Sequence, residues 1–253
     1  MIGQQEINRF SSLALAESYS ISGFCAEEGI GIYNEKRLHR ILKRMIRDNE
    51  NCFEIKVGKY TADVLCDDHI YEIQCASFAP LRDKIPYYLS KTEYAVTVVH
   101  PIVVKRKIIR AERETGEVKY VRTSPKKGKM EDILPKMYYL RNSIEDPRFS
   151  LVAVLVEVEE YRYSEAVRRR RTGKYDSEVF PTALAGICEF SKSSDYSRFI
   201  PDELLKTEFT ASDYGKYTSL RGKDLYSALN FLAEIGVICK RTEGRRSFFS
   251  YLS

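Results

Sequence analysis

The stretch Tyr60-Thr61-Ala62-Asp63-Val64-Leu65-Cys66, continued after Asp67-Asp68 by His69-Ile70-Tyr71-Glu72-Ile73-Gln74, decides how this chain reads. Both runs are rich in β-branched and aromatic residues and are bounded by turn formers, so each predicts a strand. Alternation places Ile70, Glu72 and Gln74 on one face and Tyr71, Ile73 and Cys75 on the other. Upstream, Cys52–Val57 and the turn Gly58-Lys59 make Tyr60–Cys66 the second arm of a hairpin. Before that, Asn34 is a good N-cap, and Leu38, Ile41, Leu42, Met45 and Ile46 form the stripe of an amphipathic helix over Glu35–Ile46. Downstream, Leu81, Ile85 and Leu89 predict a helix over Ala79–Leu89, and Tyr94–Val99 reads as a buried strand ended by His100-Pro101. A helix between the third and fourth strands implies a parallel crossover in one sheet.

The chemistry lies in the same stretch. Neighbouring strands run about 4.8 Å apart, so Asp63 and Glu72 on one face can share a hard cation. Mg²⁺ takes oxygen ligands and keeps several waters. Asp63, Glu72 and the backbone carbonyl of Ile73 supply a partial shell for Mg²⁺ or Mn²⁺. Both acids sit in apolar sequence, where two unpaired carboxylates would repel and lose solvation. A permanent lysine or arginine on either acid would remove the metal reading. Glu54 on the first strand is an outside candidate ligand.

Farther out, Ile102–Arg110 and Val118–Arg122 flank a turn and predict a basic hairpin, followed by the loop Ser124–Lys129. Met130–Leu140 reads as helical despite Pro135, and Ser150–Val158 as a strand. Residues 1–33 read as an arm or short helix leading into a loop. The polar segment 161–180, which holds the run Arg168–Arg171, reads as a linker between a domain over 1–160 and one over 181–253. In the latter, Thr182–Phe190 predicts a helix and Thr210–Lys216 a capped short helix. Lys223–Ile235 predicts a helix closed by Gly236, and Val237–Lys240 with Ser247–Leu252 a small hairpin. That order is the layout of a winged helix. Its third helix would present Arg221, Lys223, Tyr226, Ser227 and Asn230, and its wing Lys240, Arg241, Arg245 and Arg246. Arginine and asparagine suit base edges, and wing arginines suit phosphate.

The chain has 253 residues, 43% hydrophobic and 30% charged, which is ordinary for a globular protein. Its longest apolar stretches, Ala95–Val99 and Leu151–Val156, are too short for a membrane helix, and Met1–Phe10 has no signal core. The expectation is a cytosolic protein with no membrane partner. Six scattered cysteines lack zinc-site spacing and read as free thiols. Three histidines leave little room for imidazole catalysis. The net charge is +5, unevenly spread: residues 105–129 hold ten Lys/Arg against three Glu, and residues 216–246 seven basic against three acidic. These clusters, with Lys126 and Lys127 in the loop, point to a polyanion, nucleic acid and DNA in particular. A homodimer is compatible with this reading.

The order helix, hairpin, strand, helix, strand, with Asp63…Glu72-x-Gln74, resembles the PD-(D/E)xK nuclease superfamily over about residues 34–100. The Glu-x-Gln form is similar to the variant in competence-type CoiA-like proteins. The segments Ile73-Gln74…Phe78…Leu81…Lys84, His100-Pro101 and Ser124-Pro125-Lys126-Lys127-Gly128 resemble a bacterial family that joins such a core to a C-terminal winged helix. The resemblance implies an α/β fold: a mixed-sheet PD-(D/E)xK-like core, a β-rich extension and a C-terminal winged-helix domain. It implies metal-dependent hydrolysis of DNA, with Asp63 and Glu72 as ligands and Glu35 as a second-metal or water ligand. Gln74 occupies the place of the usual lysine, and a neutral amide only hydrogen-bonds. Lys84 is the replacement the resemblance suggests; Lys59 is weaker. His100, after the fourth strand, is placed to touch phosphate or to serve structure beside Pro101. The alternatives are a non-catalytic DNA-binding regulator on a nuclease scaffold and an adaptor for an acidic protein.

Overall fold

The computed structural model describes residues 4–19, 30–112, 115–164 and 176–252. In chain order these form α1 (Gln4–Tyr19), α2 (Ile30–Ile46), β1 (Phe53–Val57), β2 (Tyr60–Cys66), β3 (His69–Ile73), α3 (Lys84–Lys91), β4 (Ala95–Glu112) and β5 (Val118–Thr123). There follow α4 (Leu134–Met137), β6 (Phe149–Ser164), β7 (Asp176–Phe190), β8 (Phe209–Thr210), α5 (Ala211–Tyr217), α6 (Gly222–Glu234), β9 (Ile238–Glu243) and β10 (Arg246–Tyr251). The fold is mixed α/β. A seven-stranded sheet runs β1-β2-β3-β4-β6-β7, with β5 paired to β4, and a three-stranded sheet runs β8-β10-β9. Among the described residues no helix is long and apolar enough to cross a membrane, and Cys52, Cys66, Cys75, Cys188 and Cys239 stand outside any disulfide.

Two compact units divide the chain. One comprises Met1–Phe53, His100–Gly128 and Ala153–Ile187; the other comprises Glu54–Val99, Lys129–Val152 and Cys188–Ser253. In the first, α1 lies on α2, burying Phe10 and Ala14 with Ile41 and Leu42. The charged ends of β4 and β6 interlock: Lys105 meets Glu157 at 2.8 Å, Lys107 meets Glu159 at 2.9 Å, and buried Glu160 takes Arg106 and Arg162 at 2.6 Å each. Burial alone would raise the Glu160 carboxyl, but those two guanidiniums hold it below the usual range.

In the second unit β3 is the pivot. It pairs antiparallel with β2, in the register Val64↔Tyr71, Leu65↔Ile70 and Cys66↔His69. It pairs parallel with β4 from His69↔Ala95 to Ile73↔Val99, with α3 as the crossover, as the element order implied. The β2–β3 connection is two residues, Asp67 and Asp68, both left-handed (φ 49° and 59°), the combination of a tight hairpin turn. Gly58, in the β1–β2 turn, has φ +59°, and a Cβ there would lie 2.1 Å from the Tyr87 hydroxyl. Arg148 holds the end of α3, donating to the carbonyls of Leu89 at 2.6 Å and Thr92 at 2.8 Å. Cations suit that end of a helix. On the face of β3 opposite Glu72, His69 stacks on Tyr71, and a half-buried polar chain runs from His69 Nε2 to Thr97 Oγ1 to Ser150 Oγ, 2.7 Å at each step.

Toward the C-terminus, Thr210 caps α5, its hydroxyl accepting from the Asp213 N–H while Asp213 accepts from the Thr210 N–H, and hydrogen bonds hold Asp213 far below the usual carboxylate range. The apolar stripe Leu225, Ala228, Leu229 and Leu232 of α6 is buried, partly against α4, and Arg141 pairs with Glu234.

Several expectations are corrected. Helix α2 begins at Ile30, so Asn34 lies within it, and residues 4–19 form a helix of 16 residues. Ala79–Leu89 divides into a 3₁₀ turn, Ala79–Leu81, and α3, where Pro86 is tolerated in the first turn. His100-Pro101 does not end the fourth strand. The β3 pairing stops at Val99, so the missing Pro101 N–H costs no bond there, and β4 continues to Glu112. His100 is therefore a buried strand residue, 2% exposed, not a loop residue. Thr182–Phe190 is strand, not helix. Gly186 lies so close to Leu155 that a Cβ would meet its Cδ1 at 2.8 Å; sheet packing overrides the helical preference of Ala183, Leu184 and Ala185. Of the proposed 161–180 linker, the two ends belong to β6 and β7, and 165–175, with the arginine run, lie outside the described residues.

Candidate functional site

Carried one step past Val64↔Tyr71, the β2–β3 register sets Asp63 across from Glu72. Opposed residues share a face with Cβ atoms about 5 Å apart. Asp63 is half-buried, and one of its oxygens accepts the Ile73 N–H at 2.8 Å. Glu72 is buried, 2% exposed. Helix α3 supplies its partners: Lys84 Nζ donates to Glu72 Oε2 at 2.6 Å, and the buried Tyr88 phenol lies beside the same carboxyl. Lys84 and Tyr88 are four residues apart and so share a helix face. Lys84 stands in the first turn, where the helix dipole disfavours a cation; the Glu72 carboxylate offsets this.

Two buried polar atoms remain without a hydrogen bond of standard geometry, Glu72 Oε1 and Tyr88 Oη. Burial pushes the Glu72 carboxyl up to about 7, Lys84 opposes that, and the Asp63 charge adds to it. Burial, with Glu72 beside it, raises the Tyr88 hydroxyl as well, so it stays a neutral donor. Nearby, Lys59 Nζ lies 5.1 Å from the ring centres of both Tyr60 and Tyr87, and these rings meet edge to face at 5.3 Å.

The unit thus brings Asp63, Glu72 and Lys84 together, with Ile73 at the next position of β3. Gln74 follows β3, half-buried, with its N–H donated to the Val99 carbonyl at 2.9 Å. The Glu35 side chain lies outside the described residues. No cluster of three or more His, Cys, Asp or Glu side chains suited to a metal occurs among the described residues. The oxygen donors that fit a hard cation are therefore two carboxylates and a carbonyl; of the Glu72 carboxyl, Oε2 takes Lys84, Oε1 is fully buried, and the Tyr88 phenol lies beside the group. Tyr88 and the Tyr60–Tyr87 pair were not singled out from sequence; the spacing of Lys84 and Tyr88 on one helix was the available signal.

The residues read as nucleic-acid contacts divide into engaged and open ones. Arg221 folds back onto the carbonyls of Gly215, Thr218 and Leu220 at 2.6–2.9 Å, so its guanidinium serves the turn between α5 and α6. Asn230 accepts from Lys240 at 2.9 Å. Arg241 is bidentate on Glu208, at 2.9 and 3.1 Å, and also pairs with Glu243. Lys223, Tyr226, Arg245 and Arg246 are exposed. In the first unit Lys126 and Lys127 are exposed beside Gly128, whose N–H meets the Val103 carbonyl at 2.7 Å.

No curated protein and no solved structure matches the chain. Residues 36–190 match the model of a domain of unknown function (DUF8091). The match takes in β1 to β7 and stops before α5, α6 and the small sheet. Because it covers more than half of the chain, the chain belongs to the DUF8091 family.

Proposed function

We propose that this protein is a metal-dependent nuclease of the cytosol that hydrolyses DNA phosphodiester bonds. The observation that carries the reading is the Asp63–Glu72 pair on adjacent strands, with Lys84 delivered to Glu72 from the crossover helix. A PD-(D/E)xK-like core accounts for that arrangement. Asp63, Glu72 and the Ile73 carbonyl would hold Mg²⁺ or Mn²⁺, which supplies an activated water and a clamp for the scissile phosphate. Asp63 is oriented by the Ile73 N–H. The Lys84–Glu72 pair is the kind of lysine contact that weighs against a cation at Glu72. The cation must therefore displace Lys84 from Glu72 onto the phosphate, where it would provide the positive charge that Gln74 lacks. The β8, α5, α6, β9 and β10 module, without the first helix expected at Thr182–Phe190, is read as a winged-helix-like unit that docks DNA, with Lys223 and Tyr226 on α6 and Arg245 and Arg246 on its wing.

The test is cleavage of plasmid, single-stranded and branched DNA with Mg²⁺ or Mn²⁺, beside calorimetric titration of the metal. Cleavage and metal heat, both lost in Asp63→Asn with the fold intact, are the expected result. Absence of cleavage of every DNA form and of RNA overturns the proposal. A second reading, a non-catalytic DNA-binding regulator, is favoured by the 2.6 Å Lys84–Glu72 contact, which ties up one Glu72 oxygen. It predicts DNA affinity that is steep in salt and indifferent to divalent ions.

A further inference from the structure

Every residue of β5 is exposed. Three of them are large and apolar: Val118 is 53% exposed, Tyr120 48% and Val121 47%. The strand pairs with β4 alone, so its second edge has no strand partner among the described residues. In the register with β4, Tyr120 stands across from Arg110 and Arg122 across from Ile108. Alternation then puts Arg110, Tyr120 and Arg122 on one face, an aromatic ring between two guanidinium-bearing residues. From Val118 to Lys127 the chain carries Lys119, Arg122, Lys126 and Lys127 and no acid. Farther down the hairpin Lys105, Arg106 and Lys107 are taken by Glu157, Glu160 and Glu159. On β5 itself Lys119 is paired with Glu112 at 3.3 Å, so the charge left for a ligand is that of Arg122 and, in the loop after it, Lys126 and Lys127.

We infer that this hairpin face binds a single strand of DNA, a base stacking on Tyr120 while Arg122, Lys126 and Lys127 hold phosphates. An exposed ring flanked by cations on a sheet surface offers a base its π-face and the backbone its counter-charge. A duplex keeps its bases stacked inside and presents no such face. A second copy of the chain docked on the same edge would bring the Arg122 side chains of the two copies onto one shared edge, which charge repulsion disfavours. The inference rests on the nucleic-acid partner proposed above but not on cleavage.

The experiment is fluorescence anisotropy of the full chain with a labelled oligodeoxythymidine and with a duplex of equal length, in EDTA. The wild type is expected to favour the single strand. Tyr120→Ala should weaken that binding about tenfold and leave duplex affinity unchanged, while Tyr120→Phe keeps it. Tyr120→Ala without effect, equal loss on duplex, or no binding by the wild type overturns the inference. So does sedimentation showing a dimer that Tyr120→Ala converts to monomer, which assigns the face to self-association. Binding is read in EDTA and so needs no cleavage. Failure of cleavage therefore leaves this result intact, and loss of the Tyr120 effect leaves the cleavage test intact.

Discussion

Glu72 is a buried acid whose carboxyl is pushed up to about 7, chiefly by burial. Its free value is near 4.3, so between about pH 4.5 and 7 the folded chain holds a proton that the unfolded chain has released. Stability then falls as pH rises through that window. Glu72→Gln should flatten the fall, which is on the order of 3 kcal/mol; urea melts at both ends of the window measure it. Lys84→Met removes the charge that opposes the rise of Glu72, so Glu72 stays protonated to higher pH, and the loss of stability at pH 8 should exceed that at pH 5 by about 1–2 kcal/mol. Equal losses at the two pH values would show that Lys84 contributes only its packing.

At the scale of elements, α3 is held by what lies at its ends. Arg148→Ala removes the donors to the Leu89 and Thr92 carbonyls and should cost roughly 1–3 kcal/mol, read by thermal melting. The hairpin, the crossover helix and the parallel pairing of β3 with β4 were legible in the sequence, because alternation and helical spacing are strong there and the turns are marked by Gly58 and Asp67-Asp68. The acid pair was legible for the same reason. Residues 182–190 were not: Thr-Ala-Leu-Ala favours a helix in isolation, and only the close approach of Leu155 to Gly186 selects the strand. The extension of β4 through Pro101 was hidden because proline ends a strand only where its absent N–H is needed. Lys84 entered through a resemblance, and Tyr88, beside it on α3, is visible only once the helix lies over Glu72.

For the molecule as a whole, the basic clusters overstate the charge available to a polyanion. Lys105 and Lys107 face Glu157 and Glu159, and Arg241 is shared by two glutamates, whereas Arg245 and Arg246 stand exposed. If the chain binds DNA through its small C-terminal sheet, replacing Arg245 and Arg246 together by Ala should lower the slope of log affinity against log salt by about 1.8. Replacing Lys105 and Lys107 should change it little. Filter binding across a salt series measures both.

The two-residue link between β2 and β3 acts as a ruler. With Asp67 and Asp68 both left-handed, the count from Cys66↔His69 outward is fixed, and Asp63 and Glu72 meet because each lies three steps from the bend. One additional residue there, if the strands re-paired by a single step, would turn one acid through the sheet to the far side. Buried Ala62 and Val64 would turn with that strand, so the length of the bend, more than its composition, keeps both the apolar face and the two oxygens where they are.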